Sequence, residues 1–111
     1  MSLELSLAGK TAIVTGGSAG IGFTIAKALY REGVSVAIAA RNPERLEQAA
    51  QAIRELPNQG NQVLAIIADL SQAEGVDTVV SKTLAAFGQI DILYGFRLTV
   101  PAIKMRRWEE S

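Results

Sequence analysis

With 111 residues, 49% of them hydrophobic, the chain is one domain in length and has enough apolar material for a packed core. Eleven basic residues balance eleven acidic ones, which argues against a nucleic-acid or anionic-membrane partner. Cysteine and histidine are both absent, so disulfides, thiol nucleophiles, His- or Cys-based zinc sites and Ser-His or Cys-His catalytic pairs are excluded.

The N-terminus "MSLELSLAGK" has neither a basic leader nor a long apolar stretch, and no apolar run approaches membrane-spanning length. The expectation is a cytoplasmic protein. The first element is "TAIVT", Thr11 to Thr15, a short β-rich run bounded by Gly16. Further runs of this kind follow at Val34–Ala40, Asn61–Asp69 and Gln89–Tyr94, each after a glycine. They show little polar alternation, the pattern of strands covered on both faces.

Helical spacings separate these runs. Ile21, Ile25, Ala28 and Leu29 define one apolar face, Leu46, Ala49, Ala50, Ile53 and Leu56 a second, and Val76, Val79, Val80, Thr83, Leu84 and Phe87 a third. Asn42-Pro43 reads as a cap residue before a proline at the first helical position, and Ser71 to Glu74 as a capping box. Gly33 and Gly88 stand where a helix end favours positive φ. The order β-α-β-α-β-α-β with tight links predicts an α/β fold with a parallel sheet and right-handed crossovers.

Between the first strand and the first helix lies "TGGSAGIG", Thr15 to Gly22. A helix N-terminus there points free N–H groups and its positive dipole end at an anion. Gly16 allows the turn off the strand, Gly20 lets a pyrophosphate approach the backbone, and Gly22 lets the helix close on the sheet. Ser18 adds a hydroxyl donor. No G-K-[ST] follows, which disfavours a P-loop.

"LAGKTAIVTGGSAGIG", Leu7 to Gly22, closely resembles the N-terminus of short-chain dehydrogenase/reductases, whose T-G-x-x-x-G-x-G spacing is met by Thr15, Gly16, Gly20 and Gly22. The resemblance runs from about Leu7 to Tyr94. It implies a partial, doubly wound Rossmann-type sheet of four strands in order 3-2-1-4 with three helices, as a single domain over 1–111. The loop would hold the pyrophosphate of NAD(H) or NADP(H), with Ile21 adding backbone contact. The family reaction is hydride transfer between an alcohol and a carbonyl.

Cofactor choice falls to the end of the second strand, which reads Ala39-Ala40-Arg41-Asn42. Alanine stands where an acidic residue would accept from the ribose hydroxyls of NAD, and arginine follows. A guanidinium can pair with a 2′-phosphate. In the resembling family arginine here accompanies NADP(H), so NADP(H) is favoured over NAD(H), with Asn42 assisting or simply capping the next helix. Many NADP-binding relatives carry a second basic residue where this chain has Ala19, and a solvated surface charge is the other reading of Arg41. The resemblance also places Asp69 on the adenine amino group, helped by the backbone of Leu70. The plainer reading of Asp69 is a turn residue.

The pattern departs after "IDIL". The family's asparagine-rich turn is replaced by "YGFRLTV", and 95–111 forms an atypical tail, for which a reading-frame disturbance is one account. The family's catalytic set of Asn, Ser, Tyr and Lys, with Y-x-x-x-K spacing, has no match. Tyr30 has Val34 four residues on, and Tyr94 has Leu98. Two readings stand: the cofactor-binding N-terminal half of an oxidoreductase, inactive by itself, or a non-catalytic nucleotide-binding fragment or pseudoenzyme. Four strands would leave an exposed edge and a partly bare sheet face, predicting self-association.

Overall fold

The computed structural model describes residues 7–16 and 18–95. Within them the chain alternates β1 (Thr11–Thr15), α1 (Gly20–Arg31), β2 (Ser35–Ala40), α2 (Pro43–Arg54), β3 (Val63–Ile67), α3 (Ala73–Phe87) and β4 (Ile92–Tyr94). The four strands form one parallel sheet in the order β3-β2-β1-β4, as the alternation and the resemblance imply. The tail beyond Gly95 lies outside the described residues.

Both faces of the central strands are covered, as their apolar runs require. On one side Ala12, Val14, Val36 and Ile38 join Ala26 and Tyr30 of α1 and Leu46, Ala50 and Ile53 of α2. On the other, Ile13, Ala37, Ala39 and Ile66 join Val79 of α3. Ile13, Ile38, Leu46 and Ile53 are among the largest fully buried side chains. At about 1.5–3 kcal/mol for each such residue, apolar burial outweighs any single polar contact in holding the layers.

The expected faces of α2 and α3 are the observed ones, but that of α1 is turned. Its buried stripe is Gly22, Ala26 and Tyr30, whereas Ile21 is 71% exposed and Ala28 is exposed as well. Gly22, without a side chain, and the small Ala26 form the inner face of the helix. Tyr30 closes the stripe, its hydroxyl donating to the Asn61 carbonyl at 3.4 Å.

Three strands are shorter than their apolar runs. Asn61 is occupied outside the sheet, its amide donating to the Tyr30 and Val34 carbonyls at 2.8 and 2.7 Å. At the start of β4, Asp91 Oδ2 accepts from Thr11 N–H at 2.9 Å and from the Gln89 side chain at 2.7 Å, so the polar residues dock the strand rather than extend it. β4 is an outer strand of the described sheet, as expected. Its three residues are nevertheless half-buried, because Ile92 and Tyr94 pack on one core and Leu93 on the other. The exposed large apolar side chains among the described residues are Ile21 and Ile67, neither of them on β4.

Candidate anion-binding edge of the sheet

In a parallel sheet all strands end at the same edge, and here the register brings the ends of β1, β2 and β3 together. Thr15 is opposite Ala39, and Ala40 is opposite Ile67. The ladder continues past the strands: Gly16 N–H donates to the Ala39 carbonyl at 2.9 Å, and Ala68 N–H to the Ala40 carbonyl at 3.0 Å. Gly16, Arg41 and Asp69 therefore emerge side by side. The edge also includes the point where the strand order reverses, because β1 feeds α1 toward β2 while β4 pairs on its other side.

Gly16 turns off β1 at φ +68°, and Gly20 opens α1 at φ +61°. Both are in the left-handed region that L side chains rarely adopt. Beyond its chain neighbours and the backbone of α1, a Cβ at either would meet no atom of the described residues within 4 Å, which leaves room there for a ligand. Ser18 is half-buried in the turn between them. Gly22 is buried on the inner face of α1, consistent with close helix-to-sheet packing. Gly17 lies outside the described residues.

Among the described residues, no side chain caps the first turn of α1. Its N-cap, Ala19, is extended at φ −159° and ψ 161° and supplies no side-chain bond, and the turn has no acidic residue. The first intrahelical bond runs from Phe23 N–H to the Ala19 carbonyl at 3.3 Å. The N–H groups of Gly20, Ile21 and Gly22 precede it and face the open edge with the positive end of the helix dipole. That arrangement can bind an anion. Ile21 is exposed here, so only its backbone belongs to the expected site.

Arg41 follows β2 directly and is exposed. Asn42 caps α2, its Oδ1 accepting from Arg45 N–H at 3.0 Å. Asp69 lies two residues past β3, and Leu70 packs half-buried against the α3-side core. Arg41 Nη1 stands 3.9 Å from Asp69 Oδ2.

The capping box expected at Ser71 does not form. Gln72 is the N-cap of α3, without a side-chain bond. Ser71 turns back instead, and Asp69 Oδ1 accepts from its N–H at 3.0 Å and its hydroxyl at 2.6 Å. An aspartate two residues upstream offers a tighter local ring than the helix does. The Ser71 hydroxyl and then the Ser71 N–H hold the Asp69 carboxyl below its ordinary pKa; desolvation opposes them, and the Arg41 guanidinium is the least of the causes that lower it.

Several residues that shape this edge escape a reading by motif. Gly75, in the first turn of α3, lies against the main chain of Asp69, and a Cβ there would overlap the Asp69 carbonyl. A glycine inside a helical pattern is the one signal for such an approach. Thr15 Oγ1 donates to the Tyr94 carbonyl at 3.3 Å, tying the loop entrance to β4. Gly95, at φ +89°, also lies against Thr15, where a Cβ would collide with its hydroxyl.

Among the described residues no helix is long and apolar enough to cross a membrane, and no group of three or more His, Cys, Asp or Glu gathers as metal ligands.

The short chain dehydrogenase family model matches residues 10–96. Among curated relatives, the peroxisomal 2,4-dienoyl-CoA reductase of Danio rerio is 41% identical over 87 residues, 78% of this chain and 28% of that protein. A 3-oxoacyl-acyl-carrier-protein reductase of Chlamydia trachomatis is 41% identical over 106 residues, 95% of this chain and 42% of that protein. Among solved structures, L-sorbose reductase of Gluconobacter frateurii, complexed with NADPH and L-sorbose, superposes with a TM-score of 0.73 at 38% identity over 80% of this chain and 34% of that one. Glucose dehydrogenase of Caenorhabditis elegans gives 0.75 at 40% identity, over 80% and 38%. The chain thus spans less than half the length of these relatives. A family model covering residues 10–96, on a sheet of matching order, makes the chain a member of the short-chain dehydrogenase family.

Proposed function

We propose that this chain holds a nicotinamide dinucleotide for hydride transfer between an alcohol and a carbonyl, with NADP(H) favoured over NAD(H). The observation that carries the reading is the first turn of α1, uncapped among the described residues, beside two open glycines at the end of β1. The pyrophosphate would lie across Gly16, Ser18 and the N–H groups of Gly20, Ile21 and Gly22. Arg41 would take the 2′-phosphate, Asn42 would serve α2 as its cap, and Asp69 with the backbone of Leu70 would meet the adenine.

The geometry favours holding over turnover for the described residues. Both tyrosines of the chain are engaged away from any Y-x-x-x-K arrangement. Tyr30 sits at the opposite edge of the sheet, its hydroxyl on the Asn61 carbonyl, and Tyr94 is half-buried in β4. The second reading, a nucleotide-binding module without its own acid–base group, rests on that observation. A stopped assay with NADPH and a panel of simple ketones separates the two, because oxidation of the cofactor by the purified chain contradicts the module.

The test of cofactor choice is a fluorescence titration with NADPH and NADH. Replacing Arg41 by Ala is expected to remove about 1.5–3 kcal/mol of NADPH preference, the range for a hydrogen bond to a charged group, and to leave NADH affinity unchanged. An unchanged preference contradicts the role given to Arg41. The outer position of β4 supports self-association, for which light scattering should give a mass above the 11.8 kDa of one chain. A cytoplasmic setting belongs to the same proposal, and cell fractionation tests it.

A further inference from the structure

The Arg41 and Asp69 side chains meet at the edge where the dinucleotide is proposed to lie, and the carboxylate is the better fixed of the two. Ser71 takes Asp69 Oδ1 with both its N–H and its hydroxyl, at 3.0 and 2.6 Å. Gln72 N–H donates to the Asp69 carbonyl at 3.2 Å, and Gly75 closes against the same peptide. Oδ2 is left facing Arg41 Nη1 at 3.9 Å. Arg41 has a side chain 76% exposed and, among the described residues, no other ion pair.

We propose that Asp69 is a specificity-determining residue, whose Oδ2 competes with a nucleotide 2′-phosphate for the Arg41 guanidinium and so narrows the NADPH-over-NADH preference that Arg41 confers. The inference rests on the reading of Arg41 as the phosphate-binding residue. A pair this long and this exposed is weak, so a phosphate displaces it readily. The displacement still subtracts from the gain on binding the phosphate, and it subtracts nothing from the binding of NADH. The guanidinium has to swing from a fixed carboxylate to the ligand, and the long, exposed arginine side chain allows this.

The substitution Asp69→Asn isolates the effect. An asparagine carbonyl can accept both Ser71 bonds, so the turn is kept while the charge facing Arg41 is lost. Any change at the adenine affects both cofactors alike and cancels in the ratio of their dissociation constants. Fluorescence titrations are expected to show Asp69→Asn widening the NADPH-over-NADH ratio about twofold to fivefold, the scale of an exposed ion pair. Asp69→Ser, which keeps a short acceptor for the same turn, should widen it likewise.

In an Arg41→Ala background, Asp69→Asn should leave the ratio unmoved, because there is no guanidinium to release. A ratio that stays at its wild-type value in Asp69→Asn overturns the proposal. So does an equal widening with and without Arg41, which would mean that the carboxylate repels the phosphate directly. If Arg41→Ala by itself leaves the wild-type ratio intact, the reading of Arg41 has failed, and the competition falls with it. A collapse of the ratio in Arg41→Ala with no widening in Asp69→Asn defeats the competition alone.

Discussion

Helices α1 and α2 begin at the same edge of the sheet, after neighbouring strands, yet their first turns are finished in opposite ways. Asn42 caps α2 through a 3.0 Å bond to Arg45 N–H, Pro43 begins it, and Glu44 adds a negative charge to its positive end. At α1 the cap position is Ala19, no acid follows, and positive-φ Gly20 opens the helix. The α2 terminus is satisfied from within the chain, at a gain of about 0.5–2 kcal/mol from its cap. The α1 terminus forgoes that gain, because no side chain of the described residues caps it. A third case lies between them: α3 has no side-chain cap, but Glu74 adds a negative charge to its first turn and the Asp69 peptide packs against Gly75 there. Stability and binding thus draw on the same backbone groups, and the sequence at the cap decides which is served.

The largest effect is expected from giving α1 the cap it lacks. Ala19 already has the extended backbone of a cap residue. Ala19→Asp is expected to raise stability by about 0.5–2 kcal/mol in urea unfolding. It should also weaken NADPH binding by several kcal/mol, on the order of 2–4, because a carboxylate occupies the anion's place. Loss of both stability and binding would show that the first turn of α1 was not free.

The α3 case is sharpened by Gly75→Ala. Within a helix this change ordinarily stabilises by about 0.5–1 kcal/mol. Here the added methyl meets the Asp69 carbonyl, and a net loss of about 1–3 kcal/mol in thermal unfolding is expected, the usual cost of overpacking. A more stable variant would contradict the close approach.

Asn42→Ala removes the cap that makes α2 different. It should cost about 1 kcal/mol of stability and leave NADPH affinity within error, as measured by parallel unfolding and titration. The smallest effect is electrostatic. Ser71→Ala should raise the Asp69 pKa toward its ordinary value, followed by carboxyl NMR, because the largest cause of its depression is removed. The sign for stability follows from the depressed folded value. The contribution of Asp69 is complete above the ordinary aspartate pKa of about 3.9 and is lost as pH falls through the lower folded pKa, so Ser71→Ala should flatten the acid limb.

Much of this was legible in the residues. The four apolar runs and the three helical patterns suffice for a parallel sheet, because strands buried on both faces carry no polar alternation and tight links leave few topologies. The glycine at 16 announces a turn, and those at 33 and 88 positive φ. Helix α1 was legible as a helix but not in its orientation. Hydropathy gives weight to Ile21 and little to Gly22 and Ala26, whereas the inner face is composed of those small residues together with Tyr30. Ser71 carries a short-range signal that fits two partners, the α3 backbone and Asp69, and only the three-dimensional turn selects one. The meeting of Arg41 with Asp69, 28 positions apart in sequence, depends on the pairing of β2 with β3 and has no local signature.

The open first turn of α1, and not the capped one of α2, is expected to receive the nucleotide phosphates. Backbone amide NMR with added NADPH tests it directly. Saturable shifts are expected at Gly20, Ile21 and Gly22, with the amides of Glu44, Arg45 and Leu46 in the first turn of α2 essentially unmoved. Shifts confined to α2, or none at α1 with NADPH at millimolar concentration, would contradict it.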